Sequence, residues 1–336
     1  MSESLVADAP VIAHVTRDGF CESAHRGHVV IADADGIVHA SLGNPALESY
    51  PRSSLKPFQA LATASLLADA GLTLDIPATA ITCASHSGTS EHQVEAARIL
   101  ADVGLDEEAL RCPVAYPSHR QTAAATPSPT RLAHNCSGKH AGFIAAQAAV
   151  GEDPAKYLDP CSRIQALAAE CIREACDAEL LGVGVDGCGA PAWRLELRNM
   201  AAGFAKLAGA TGDDPLAPMA RAMRTRPDLV GGMGRPDTQL MLADARVVAK
   251  GGAEAYFAAG FVPASGAGGH RRPLGIAVKI ADAGSRAIAP VVGTVLSAFG
   301  IGVDDAVIRP VVLGGGMPHG HITAADAVAE LGTQVG

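Results

Sequence analysis

The order of elements in this sequence predicts an α/β (α+β) fold: an antiparallel sheet closed by both ends of the chain, flanked by helices, with a helical lobe inserted between. Three observations carry this. Strand-like runs open the chain at "VIAHVTRDG" and "HVVIADADGIVHASLG". Helical patterns fill the middle, over 55–70, 90–103, 139–149, 161–178, 193–209 and 215–224. Strand-like runs return at "ARVVAK", "AEAYFAAGF" and "LGIAVKIAD", with a helix containing Pro290 behind them.

Each element has a local reason. The second run turns at Asp35-Gly36, a dipeptide of tight hairpins. Proline is tolerated only in the first turn of a helix, so Pro57 starts one near Ser53 or Ser54. Ser90-Glu91-His92-Gln93 has the spacing of a capping box. Cys83-Ala84 is expected to end a buried strand, with Ser85-His86-Ser87-Gly88 turning out of it. No repeat and no long linker divides residues 1–336, which read as a single domain.

Composition narrows the function. With 48% hydrophobic and 18% charged residues the chain is globular rather than disordered. A net charge of -9 and no long basic run argue against nucleic acid or an anionic membrane as partner. No apolar stretch has the length of a membrane span, and "MSESLVADAP" does not read as a signal peptide. Eight scattered cysteines suggest reduced thiols in a cytoplasmic protein, some of them candidate metal ligands.

The chemistry-bearing residues fall in clusters. In "PRSSLKPFQA", Ser53 and Lys56 lie three apart, on one face of a first helical turn. A buried lysine loses its charge and becomes a base, and the helix start favours an oxyanion, which is Ser-x-x-Lys chemistry. The competing reading is a helix cap beside a solvated lysine, and on the four residues alone it is the favoured one. Arg52 adds a clamp for a carboxylate. "CASHSGTSEHQ" offers Ser85 on a turn beside His86. "AHNCSGKHAGF" brings His134, Cys136, Lys139 and His140 together, and "VDGCGAP" adds Asp186 and Cys188. Cys and His at close spacing suggest zinc, Gly138 suggests an anion nest, and buried thiols with capping Asn135 and Ser137 are the structural alternative. Lys250, before Gly251-Gly252, suits a strand facing a Ser-x-x-Lys helix, with Lys279 as competitor. Gly182-Val-Gly184-Val-Asp-Gly187 matches a dinucleotide pattern, but Pro191 interrupts any helix opening there.

Together and in this order the motifs resemble the asparaginase II family, the Rhizobium etli type of L-asparaginase. The likeness runs from "GFCESAHRGHVVIADADGIVHASLGNP" through "RSSLKPFQA", "CASHSG", "NCSGKHAG", "DGCGAP" and "RPDTQLM" to "VAKGGAEA" and "GIAVKIAD". It fades after about residue 305, where a final strand is not established. The resemblance implies a fold like serine β-lactamases and penicillin-binding proteins, and hydrolysis of L-asparagine to L-aspartate and ammonia. It implies Ser53 as nucleophile with Lys56, and a second pair, Ser85 and Lys250. It implies a zinc site of Cys136, Lys139 and Cys188 that tunes affinity, with Asp186, Arg52 and His140 near substrate or metal, and a homodimer. Charge alone suggests Arg52 for the substrate's α-carboxylate and Asp186 for its α-ammonium. Two rivals stand beside this reading. One is another Ser-x-x-Lys amidohydrolase of β-lactamase kind, although Ser-Asp-Asn and Lys-Thr-Gly are missing. The other is a non-catalytic amino-acid or zinc-binding protein.

Overall fold

A computed structural model describes residues 3–264 and 272–335. The chain divides into two compact units. One comprises Met1–Pro51, Leu195–Gly209 and Gln239–Gly336, the other Arg52–Arg194 and Ala210–Thr238.

The first unit holds the sheet. β1 (Val11–Arg17) and β2 (Phe20–Asp33) join at Asp18-Gly19, whose φ angles of 47° and 81° make a mirror-image turn matching the twist of a hairpin. β2 reaches back to Phe20, through exposed polar residues that hide it from a hydrophobic pattern. β3 (Val38–Leu42) follows the expected turn, with Gly36 at φ 80°. The three later runs become β4 (Val247–Gly251), β5 (Tyr256–Phe261) and β6 (Leu274–Ile280). β7 (Val311–Gly314) and β8 (Met317–Ala324) complete the sheet. Among the described residues it has eight strands, in the order β7-β8-β1-β2-β6-β5-β4 with β3 also on β2. Every pairing is antiparallel.

Both ends of the chain do close this sheet: Ala13 lies opposite Ala324. The final strand left open by the sequence is therefore present. Its Pro318 and Gly320 obscured it, yet Gly320 is there for contact, since a Cβ on it would stand 1.9 Å from the Thr16 carbonyl oxygen. The Leu197–Gly209 helix packs on β5 and β6 with equal closeness, a Cβ at Gly275 falling 1.8 Å from the Ala201 carbonyl oxygen. Gly275→Ala is therefore expected to destabilise the protein by about 1–3 kcal/mol or more. Thermal unfolding should show a lowered Tm, whereas Gly302→Ala, in open space, should leave it unchanged. The Ile288–Ala298 helix also packs on the sheet, and carries Pro290 in its first turn, where proline is harmless.

The second unit is mostly helical. Its core joins α1 (Lys56–Asp69), α2 (Ile76–Thr82), α3 (Ser90–Ala101), α4 (Ser137–Ala149) and α5 (Arg163–Cys176) through Leu66, Ile81, Ile99, Phe143 and Ile164. Three expectations are corrected here. Cys83-Ala84 follows a helix, not a strand: Asp75 caps α2 by accepting from the Ala78 N–H at 2.9 Å, and Pro77 sits in the first turn. Short apolar runs fit either element by pattern alone. The helix predicted from 193 starts at Leu197, because Pro191–Glu196 pairs antiparallel with Gly182–Val185. The capping box of α3 uses Thr89 as its cap and His92 as the reciprocal partner. Gly182 to Gly187 lie on the hairpin and its turn, and no helix opens there. Among the described residues no helix is long and apolar enough to cross a membrane.

Candidate active site

The site residues of the second unit gather around the start of α1. Arg52 to Leu55 form a 3₁₀ turn, and α1 begins at Lys56 with Pro57 in its first turn. The residue at the cap is Leu55, without a side-chain cap bond, so neither Ser53 nor Ser54 caps the helix. Arg52 has φ 54°. A non-glycine residue held in the left-handed region costs about 1–3 kcal/mol and persists where surrounding contacts hold it. Here the contact is Asp186, whose carboxylate accepts from Arg52 Nε at 2.8 Å and Nη2 at 3.3 Å. Burial alone would raise the Asp186 carboxyl, but the Arg52 hydrogen bond and the Lys139 and Arg52 charges outweigh it and hold it at about 2. The two groups assigned by charge to the substrate's carboxylate and ammonium are thus paired with each other.

Lys56 is only 1% exposed. Its Nζ is within hydrogen-bond reach of the Ala84 carbonyl, of Ser85 Oγ at 3.0 Å and of Cys136 Sγ at 3.1 Å. None of these contacts reaches Ser53, which is half-buried and whose hydroxyl makes no hydrogen bond among the described residues. Lys56 therefore links Ser85 to the sulfur cluster, while Ser53 stands three residues before it with its hydroxyl unengaged. Ser85 is fixed by its own N–H, which donates to the Val230 carbonyl at 3.0 Å. The neighbouring His86 is structural. Its Nδ1 accepts from the Gly88 N–H at 3.1 Å, so Nε2 carries the proton and donates to Ser137 Oγ at 3.0 Å.

Behind Lys56 lie Cys136, Lys139, His140 and Cys188, all buried. Cys136 is held well below the ordinary thiol range, first by the Cys188 thiol donating to it and then, against burial, by the Lys56 and Lys139 charges. Cys188 is pushed up for the converse reason: it keeps the shared proton. Lys139 Nζ lies 3.4 Å from Cys188 Sγ. Burial works against its charge, but the sulfurs and Asp186 prevail and raise it, so it stands as an ammonium. His140 is driven down to about 4, chiefly by burial. Its Nδ1 meets the Tyr157 hydroxyl at 2.6 Å, and that hydroxyl accepts from the Arg111 N–H at 2.8 Å. Tyr157 therefore donates to His140, and Nε2, facing Cys188, is left with no hydrogen-bond partner among the described residues. Gly138 is the second residue of α4, and its bareness serves packing: a Cβ there would stand 2.3 Å from the Ile81 carbonyl oxygen. His134 turns inward, Nδ1 accepting from the Cys136 N–H at 3.1 Å.

The family model of L-asparaginase II matches residues 13–324. The chain belongs to the L-asparaginase II family. The match runs past 305 to the end of β8, so the C-terminal segment is part of the family pattern up to Ala324. Membership supports an amidohydrolase activity. No curated protein matches the chain. Among solved structures, a probable glutaminase from Bacillus subtilis complexed with 6-diazo-5-oxo-L-norleucine is similar at 14% identity, over 76% of each chain, with a TM-score of 0.32. A likeness that low carries no inference about substrate.

Two further features of this L-asparaginase II chain complete the description. Lys250 lies on β4 in the first unit, fully buried, and donates to the Gly251 carbonyl at 2.9 Å. Its competitor Lys279 does not point outward: it is 8% exposed and donates to the carbonyls of Glu254 and Ile280. The second feature escaped the motif search. A pocket of about 230 Å³ in the second unit opens on Ser85, and Tyr116, His134, Asn135 and Arg235 line it. Its Arg235 opens "RPDTQLM", one of the strings that carry the resemblance, but the sequence assigned that residue no role.

Proposed function

We propose that the chain hydrolyses L-asparagine to L-aspartate and ammonia through a serine acyl-enzyme. The observation that carries this reading is the buried Lys56 amine, bonded to Ser85 Oγ at 3.0 Å and three residues after Ser53. A nucleophile needs a base in reach and a base needs a shielded site; the burial of Lys56 and its bond to Ser85 support that reading. Ser53 oxygen attacks the side-chain amide carbon, and neutral Lys56 takes its proton. Backbone N–H groups at the start of α1 hold the oxyanion. Ser85, bonded to the same amine, relays a proton to the departing ammonia. Water then opens the ester by the reverse transfers.

Zinc belongs to the proposal as a modulator. The supporting observation is the donor set: a thiolate at Cys136 beside the Cys188 thiol, with Lys139 Nζ 3.4 Å from Cys188 Sγ. Sulfur donors suit a borderline-soft cation. Among the described residues no three His, Cys, Asp or Glu side chains converge as ligands, so Lys139 would have to supply the third donor. Lys139 and Cys188 would each release a proton to do so. A bound cation supplies positive charge near the substrate and orders the two sulfurs.

The test is ammonia release from L-asparagine and, separately, L-glutamine, with zinc added and with zinc removed by a chelator. Asparagine turnover is expected under both conditions, with zinc lowering KM and leaving kcat within about threefold. No ammonia from asparagine under either condition would sink the proposal.

A further inference from the structure

We infer that Arg235 receives the α-carboxylate of the substrate, with the Asn135 amide beside it. This rests on the proposed hydrolysis of an amino-acid amide and goes beyond it, because Arg235 belongs to none of the expected sites. The pocket that Arg235 lines contains Ser85, which is hydrogen-bonded to Lys56. Of the side chains lining it, Arg235 is the only Lys, Arg, Asp or Glu. A concave site with one fixed positive charge selects a ligand carrying a carboxylate. Its volume of about 230 Å³ suits something the size of an amino acid.

The alternative clamp is already engaged. Arg52 spends its guanidinium on Asp186, whereas Arg235 makes no ion pair or side-chain hydrogen bond among the described residues. The Asn135 side-chain amide lines the same pocket and lies 3.4 Å from Cys136 Sγ.

The loop below Arg235 is built to hold it near Ser85. The Ser85 N–H is bonded to the Val230 carbonyl, and the Arg235 N–H to the Gly232 carbonyl at 3.1 Å. Gly232 has φ 109°, and a Cβ on it would stand 2.1 Å from Ser87 Oγ, so a side chain there would push the loop off the segment that carries Ser85. A carboxylate anchored at Arg235 places the amide carbon of asparagine at a set reach.

The experiment compares the natural protein with Arg235→Gln and Arg235→Lys. Arg235 is exposed, so folding should survive, and circular dichroism would verify it. Steady-state ammonia release is measured on L-asparagine and on its α-amide, which lacks the carboxylate. Binding of L-aspartate is measured by calorimetry, which needs no turnover. Arg235→Gln is expected to raise KM for asparagine, and to weaken aspartate binding, about tenfold or more, with kcat within a few-fold. It should also abolish the preference for asparagine over its α-amide, and Arg235→Lys should restore part of it. Natural KM and natural aspartate affinity in Arg235→Gln would overturn the inference while leaving the proposed reaction intact. Aspartate binding lost in the variant, without ammonia release by the natural protein, would keep the carboxylate site and overturn the reaction. A natural protein that neither binds aspartate nor releases ammonia overturns both.

Discussion

Lys56→Met releases ammonia from L-asparagine at least about 10³-fold more slowly than the natural chain, with KM little changed. Methionine fills nearly the same buried volume, so the loss reports chemistry rather than collapse. What disappears is the group that reaches Ala84, Ser85 and Cys136 at once. The serines then separate two roles. As nucleophile, Ser53→Ala is expected to match the Lys56→Met loss. As relay, Ser85→Ala is expected to lose about 10²-fold. The resting hydrogen bond runs from Lys56 to Ser85, so the opposite ranking would transfer the nucleophile's part to Ser85. Lys250→Met belongs in the same series, and unchanged turnover would remove Lys250 from the mechanism. Near-natural turnover in Lys56→Met would end the Ser-Lys reading. Mass spectrometry of the stalled acyl-enzyme would show which serine carries it.

Asp186→Asn lowers stability by about 3 kcal/mol, because removing one partner of a shielded ion pair strands the other. Both side chains are largely covered, at 25% exposure for Arg52 and 17% for Asp186. Arg52 would keep its left-handed backbone without the carboxylate that holds it, and Lys139 would lose a countercharge. The pH dependence has a definite sign. The carboxyl sits at about 2 in the folded chain, below an unfolded value of about 3.9. Its contribution is therefore complete above about pH 4 and is lost as pH falls through about 2. Urea unfolding of the natural protein at pH 6 and pH 2.5 should show that decline, and Asp186→Asn should show less of it. Equal stability of the two proteins at pH 6 would mean the pair contributes nothing to the fold.

Much of the architecture was legible because it is local. Alternating or continuous apolar runs gave β1, β3 and β4 to β6, and Asp35-Gly36 placed a hairpin. Pro57 placed the start of α1 to within a few residues. The errors lie where pattern is silent. "IPATAITCA" is mostly apolar and shows no clear period, and the Asp75 cap and the packing of α2 on α4 make it a helix. β2 begins nine residues before its apolar stretch at Val29, most of them exposed or polar, and β8 carries Pro318 and Gly320.

The same division holds for the site. Residue types and their spacing determined, before any fold was known, the candidate set: Ser53, Lys56, Ser85, Cys136, Lys139, Asp186 and Cys188. They also determined the family, since ordered motifs survive as strings. Which of these residues touch was decided by the tertiary structure alone. Lys56 meets Ser85 and Cys136 across 29 and 80 positions of chain, and Arg52 meets Asp186 across 134. A distance of that kind depends on how helices pack, and packing is a property of surfaces brought together rather than of neighbours in the chain. For that reason Arg235, one residue of a family string, acquires the role inferred for it only when the loop that bears it is tied to Ser85.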